Sequence, residues 1–322
     1  MEEHAMSRTR RGAPAVLAAL ALALAVPAIA AAATKPGVST LGASQVTITT
    51  ATLTGKVNPD GAPTTYYFQY GTTTAYGSRT PSAGAGAGTA AVGATAPIAG
   101  LGPNTKYHYR LVAHNRVGTT IGGDRTLTTP KQPLGLALAA TPNPVAFGAP
   151  STLAGTLSGT GNAGRPIQLQ QKPFPFTSAF ANLGNAQLTN AQGGFAFALL
   201  SVPLTTQYRV LVTDKPSVVS PVLTLNVTVV VGTRTTRTHV HRGGHVHFSG
   251  TVHPNVANIP IAIQKLNAQH HWVTISGTIT RTNGAYGKTV RIRRGGSYRV
   301  YAGASGGTFA PGAGRKVRIH TS

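Results

Sequence analysis

The chain has 322 residues, with 28 Lys and Arg against 5 Asp and Glu, a formal net charge of +23, and no cysteine. Without cysteine there is neither a disulfide framework nor a lipid-carrying thiol. Beyond residue 33 only three acids remain, Asp60, Asp124 and Asp214. A glycosidase needs two carboxylates facing one bond and a calcium or magnesium site needs several oxygen ligands, so the sequence predicts a non-catalytic protein without a carboxylate-built metal site.

Taken in chain order, residues 1–33 read as a secretory signal peptide. Arg8, Arg10 and Arg11 precede an apolar run from Ala13 to Ala30, and Ala31, Ala32 and Ala33 offer a small-residue cleavage site. Met6 is an alternative start, and an uncleaved N-terminal membrane tether is the alternative fate of the apolar run. Export without disulfides suits a bacterial product. The expected location is therefore secreted and extracellular, with wall association through charge.

After residue 33 the pattern is that of an all-β chain: short apolar alternations punctuated by Gly, Pro and Asn, with no long helical period. The predicted fold is a tandem of antiparallel β-sandwiches, divided at 34–131, 132–227 and 228–322. In the first, Tyr107, Tyr109, Leu111 and Ala113 alternate with His108, Arg110, Val112 and His114, which predicts a half-buried strand. Leu101, Pro103 and Thr105 lead into Tyr107 at spacings of two, a pattern that turns a corner and anchors it with a buried tyrosine.

The order L-x-P-x-T-x-Y, followed by Arg110, Ala113, Asn115 and Gly118, resembles the fibronectin type III family over about Val46 to Thr129. TATLTGKVNP, TTYYFQYGTT and GTTIGGDRTLTT would be its strands B, C and G. The strand B tryptophan common in that family is absent, with Leu53 and Gly55 nearby, and there is no RGD tripeptide before strand G. The resemblance therefore implies a sandwich and does not imply cell adhesion through that tripeptide.

Pro130 and Pro133 stiffen the passage to the second module. The third module repeats the second: Gly155-Thr156-Leu157 answers to Gly250-Thr251-Val252, Pro166-Ile167 and Leu169 to Pro260-Ile261 and Ile263, the turn at Asn190–Gly194 to Asn283-Gly284, and Tyr208-Arg209-Val210 to Tyr298-Arg299-Val300. Both copies resemble bacterial immunoglobulin-like or transthyretin-like modules, whose late strand often reads Y-R-V. That resemblance implies a fold and carries no functional residues.

The string Gly303-Ala304-Ser305-Gly306-Gly307 matches G-x-S-x-G but lacks the helix, acid and order of a nucleophile elbow, and reads as a loop. Histidine is concentrated in the third module. If Arg242 to Gly244 form a hairpin connection, His239, His241, His245 and His247 share one face and are candidate ligands for Zn²⁺, Cu²⁺ or Ni²⁺. The alternative is that they are solvent-facing strand positions, with Ala146, Pro150 and Thr152 at corresponding places in the second module.

Charge is the strongest functional signal. The first module has eight bases against two acids, the second four against one, and the third thirteen against none. Alternation in KTVRIRR, SYRVYA and RKVRIH turns Arg291, Arg293, Arg299, Tyr301, Lys316, Arg318 and His320 outward, with the last five expected on one sheet face. Trp272, beside Val273 and Ile275, is expected in the core. The expected partner is a polyanion: an anionic cell-wall polymer, acidic polysaccharide, phospholipid head groups or extracellular nucleic acid, bound without sequence reading. The alternatives are a passive extracellular spacer and a histidine-built metal module.

Overall fold

In a computed structural model, residues 32–322 are described. The expected signal segment, 1–33, thus lies outside the described residues except for its last two positions. The described residues are all-β, with antiparallel sheets predominating and no α-helix among them; no helix among them is long and apolar enough to cross a membrane. The chain divides into two compact units. One holds residues up to Ser44 with Ala51–Ile98 and Tyr107–Leu127; the other holds Gln45–Thr50, Ala99–Lys106 and Thr128–Ser322.

In the first unit a three-stranded sheet of Gly37–Thr40, Thr50–Asn58 and Val92–Ala99 is paired with a larger sheet built on Thr64–Gly71 and Lys106–Asn115. Period-two alternation drops Leu53 and Val57 from one sheet, and Phe68, Tyr109 and Leu111 from the other, into a shared core. This is the two-sheet arrangement that the fibronectin resemblance implies. The corner differs in one respect. Tyr107 is only half-buried, whereas Tyr109 is fully buried and its hydroxyl donates to the Leu41 carbonyl at 2.7 Å. The strand enters the core two residues later than the sequence pattern predicts, so Tyr109 provides the internal anchor.

The second unit contains two sandwiches of the same plan. Gly135–Thr141, Ser151–Ser158 and Gly194–Leu199 form one sheet of the first; Pro166–Pro173 and Thr206–Val212 are the central strands of its partner. In the next, His245–His253 pairs with Ala285–Arg291, and the other sheet runs His239–Val240, Val317–Thr321, Gly296–Ala302, Pro260–Leu266, Trp272–Ile279.

The sequence repeat is also a repeat of pairing. Gly155 lies opposite Phe195, and Gly250 opposite Tyr286. A Cβ at Gly155 would collide with the Ala137 carbonyl and come within 2.6 Å of the Phe195 ring, and one at Gly250 would collide with the Gly232 carbonyl and come within 2.8 Å of the Tyr286 hydroxyl, so each glycine admits a closely approaching backbone as well as the aromatic across from it. Gly193 and Gly284 close corresponding turns at φ 81° and 73°, a region open to glycine at little cost.

These two sandwiches share one hydrophobic cluster running from Leu136 to Ile319. Where they meet, Thr228 bridges Ala310, the Ala310 amide donates to the Val227 carbonyl at 2.7 Å, and the rings of Phe147 and Phe309 meet edge to face at 6.1 Å. The seam is packed core with strand-like pairing, which stiffens it.

Phe309→Ala removes a buried ring at the seam, a cost of about 3–5 kcal/mol. Its effect should appear in both sandwiches, with amide exchange speeding up in Ser151–Ser158 as well as in Gly296–Ala302; acceleration confined to one sandwich would show the seam to be uncoupled. Burial also holds the hydroxyls of Tyr109, Tyr208, Tyr286 and Tyr298 above the ordinary tyrosine value. The unfolded chain then releases these protons first, so their contribution is complete below about pH 10 and is lost as pH climbs through the folded values. Urea midpoints should hold level up to that point and then fall, less steeply in Tyr208→Phe.

Candidate anion-binding surface

The first two modules use most of their few acids internally. Asp124 accepts from the Tyr76 hydroxyl at 2.9 Å and pairs with His108 at 2.8 Å; burial, then this hydrogen bond, raise the Tyr76 hydroxyl above its usual value. Asp214 pairs with Arg165 at 2.8 Å. Asp60 sits in a turn at φ 49° with its amide bonded to the Asn58 side chain. The third sandwich has no acid to do likewise.

On its larger sheet, Tyr298, Val300 and Ala302 are buried, so Arg299 and Tyr301 between them face out; Val317 and Ile319 are buried, so Arg318 and His320 face out and are exposed. The two strands are direct neighbours, with Ser297 opposite Arg318 and Tyr298 opposite Val317. Exposed Lys316 immediately precedes the second of them. Arg299, Tyr301, Arg318 and His320 thus occupy outward positions on two neighbouring strands, with Tyr301 across from Ala313 at one end of the pair and His320 beyond Ile319 at the other.

Arg299 is also held in place. Its Nε donates to the Gln264 side chain at 2.8 Å, and its guanidinium lies 4.4 Å from the Trp272 ring centre and 5.7 Å from that of Tyr301. This corrects the expectation for Trp272, which is half-buried on the outer face beneath Arg299 instead of in the core. Its strand, Trp272–Ile279, is the outermost of the sheet, and Val273, Ile275 and Ile279 on it are exposed. An edge position offers no second neighbouring strand to cover them.

Arg291 and Arg293 lie elsewhere. Arg291 ends a strand of the opposite sheet, across from His245, and Arg293 follows in the turn. Both line a cleft of about 760 Å³ together with Arg242, Lys265, Arg294 and Tyr298. The sequence did not single out Arg242, Lys265 and Arg294, because they come from a separate loop, a separate strand and a turn that alternation does not describe.

The four-histidine face is not formed. The segment after His241 does not fold back as a hairpin: His239 pairs in parallel with His320, their rings stacked at 4.8 Å, while His245 and His247 pair with Arg291 and Thr289. The physical reason is a change of sheet. Arg234–Thr235 pairs with the His245–His253 strand, and the chain then crosses to the other sheet before His239. His239, His241 and His245 line one shallow cavity of about 340 Å³, but His247 is directed to Thr289, hydrogen-bonded at 3.0 Å. Among the described residues no three His, Cys, Asp or Glu side chains are grouped as a metal site. The G-x-S-x-G string forms a turn closed by a Ser305 to Phe309 bridge.

No protein-family model and no curated protein matches the chain. Among solved structures it is similar to the FN1-FN3 domains of chicken CNTN1, at 15% identity over 89% of this chain and 100% of that one, with a TM-score of 0.29. It is also similar to a tetra-tandem repeat in the extending region of a large adhesion protein, at 14% identity, 89% and 75% coverage and a TM-score of 0.28. A third likeness is to the D0-D1 domain of Intimin, at 16% identity, 57% and 98% coverage and a TM-score of 0.23. At such scores the architecture rests on the chain's own strands and registers.

The anchoring of Arg299 is testable. Arg299→Lys keeps the charge but loses the forked donor and the flat stacking face; it should lower stability by about 1 kcal/mol in urea titrations. Arg318→Lys, on the same face without such anchoring, should leave the midpoint where it is.

Proposed function

We propose that this is an exported, non-catalytic binding protein whose last sandwich holds an anionic extracellular polymer, such as an acidic polysaccharide or wall polymer, on the outer face of its larger sheet. One observation carries the reading. Arg299, Tyr301, Arg318 and His320 project from neighbouring strands of one sheet face, with Lys316 beside them, in a sandwich that has no acid of its own. With no internal counter-charge, the repulsion across that face is relieved by salt or by a bound polyanion. An exposed basic sheet face suits a polymer lying across it, and backbone charge recognised in this way involves no sequence reading.

A second reading is favoured by the packed seam between the last two sandwiches. The shared core and the Phe147–Phe309 ring pair resist bending there, as a spacer requires. Retention on immobilised anionic polysaccharide, wall material or DNA decides between them. The polymer reading expects binding at low salt that falls steeply as salt rises. It also expects a shallower dependence in a Lys316→Gln/Arg318→Gln variant, by about one unit of log–log slope for each cation removed. Absence of binding at low ionic strength, or an unchanged slope in the variant, would overturn it in favour of the spacer.

A further inference from the structure

The two repeated sandwiches each carry a cleft at the same place, and the two clefts differ in charge. Their equivalence rests on strand register. Gln171 lies opposite Tyr208 as Lys265 lies opposite Tyr298; Ser151 lies opposite Leu199 as Val246 lies opposite Val290. The cleft of the earlier sandwich, about 630 Å³, is lined by Gln171, Leu199, Leu200 and Tyr208 among others, with no charged residue in its wall. The corresponding cleft of the last sandwich, about 760 Å³, has Lys265, Val290, Arg291 and Tyr298 at those positions and adds Arg242, Arg293 and Arg294. Duplication of the fold supplies the concavity in both, and only one copy surrounds it with five cations.

Parts of this wall are ordered by the protein itself. Lys265 Nζ donates to the Arg294 carbonyl at 3.1 Å, and the Tyr298 hydroxyl donates to the same oxygen at 2.6 Å. Arg291 Nε donates to the Gly243 carbonyl at 3.2 Å. Burial first, and then the Arg294 charge, hold Lys265 below the usual lysine value. Guanidinium groups match the oxygens of phosphate and sulfate in pairs, while Ile275 and Val290 add an apolar wall suited to the carbon skeleton of an ester.

We infer that the cleft bounded by Arg242, Lys265, Arg291, Arg293 and Arg294 is a discrete binding site for a polyvalent oxyanion ester, a phosphate or sulfate group carried on a small polyol or sugar. This site is separate from the outer sheet face and does not depend on the polymer reading. The group it takes can be free or can be a unit of a chain, and the two sources are distinguishable.

The test is calorimetric titration of the full chain at low salt with inorganic pyrophosphate and glycerol phosphate as free probes, and with a polyol-phosphate polymer as the linked one. Saturable binding of one free anion per chain is expected. It should weaken about tenfold or more in Arg293→Gln/Arg294→Gln, weaken also in Lys265→Gln, which installs the residue of the earlier repeat, and hold in Lys316→Gln/Arg318→Gln. Binding of the polymer but not of the free probes, with the same dependence on the cleft variants, would assign the site to a chain-borne group. Absence of saturable binding to any probe, or equal weakening by the cleft and outer-face pairs, would overturn the inference, the latter by showing net charge alone at work. Salt-dependent polysaccharide retention that persists in the cleft variants keeps the two readings apart. Thermal melts of each variant separate lost binding from lost folding.

Discussion

A tyrosine followed by an arginine fixes the larger sheet of all three sandwiches. Tyr109-Arg110, Tyr208-Arg209 and Tyr298-Arg299 each stand on the strand that pairs with the one carrying Gln69, Gln170 or Gln264. The tyrosines are 0%, 4% and 1% exposed, which places each of them in its core. Each arginine Nε donates to the glutamine directly across from it, at 2.7, 2.8 and 2.8 Å, and each guanidinium lies over an aromatic ring, Tyr76, Phe180 or Trp272, at 4.3, 4.2 and 4.4 Å. Slipping the strand by one residue would drive an arginine into the core and expose the tyrosine. The dipeptide therefore sets register from both faces at once, and the alternation of every later residue on that strand follows from it.

This accounts for what is legible in the sequence and what is not. The Y-R-V string is legible because it is local, and so is the repeat, since Gly155 and Gly250 each admit a closely approaching backbone carbonyl that a side chain would block. The partners of the arginine are not legible: Gln264 and Trp272 come from two other strands, and nothing in their local spacing points to Arg299. Spacing alone puts Trp272 in the core because period two tells inside from outside only once it is known which strands sit at an edge. The histidine hairpin fails for a related reason. Two short strands with glycines between them satisfy a local turn, but pairing with the distant Val317–Thr321 strand takes His239 to the other sheet.

The same dipeptide changes the weight given to the outward charges. Arg299 has counterparts in Arg110 and Arg209, so its place on the outer face is explained by the architecture whether or not a ligand is present. What distinguishes the last sandwich is the charge added around that common element: Lys316, Arg318 and His320 on one side, and the cleft arginines on the other. Earlier in the chain Asp124 and Asp214 answer nearby cationic or polar groups. Because the last sandwich has no acid, each added base there raises the positive potential of the whole surface.

The paired clefts separate fold from function within a single chain. Both of the last two sandwiches have a concavity between their sheets with a buried tyrosine in its wall, so its presence alone argues for nothing; the earlier copy, walled by Gln171, Leu199 and Leu200, shows it in a neutral form. The later copy replaces glutamine with Lys265 and leucine with Arg291, and brings three more arginines to the rim. Burial and then the Arg294 charge hold Lys265 below its usual value, which disfavours its cationic form unless an anion lies close to it. Five cations from separate elements converge on this one concavity, and that convergence sets the cleft apart from the basic sheet face beside it.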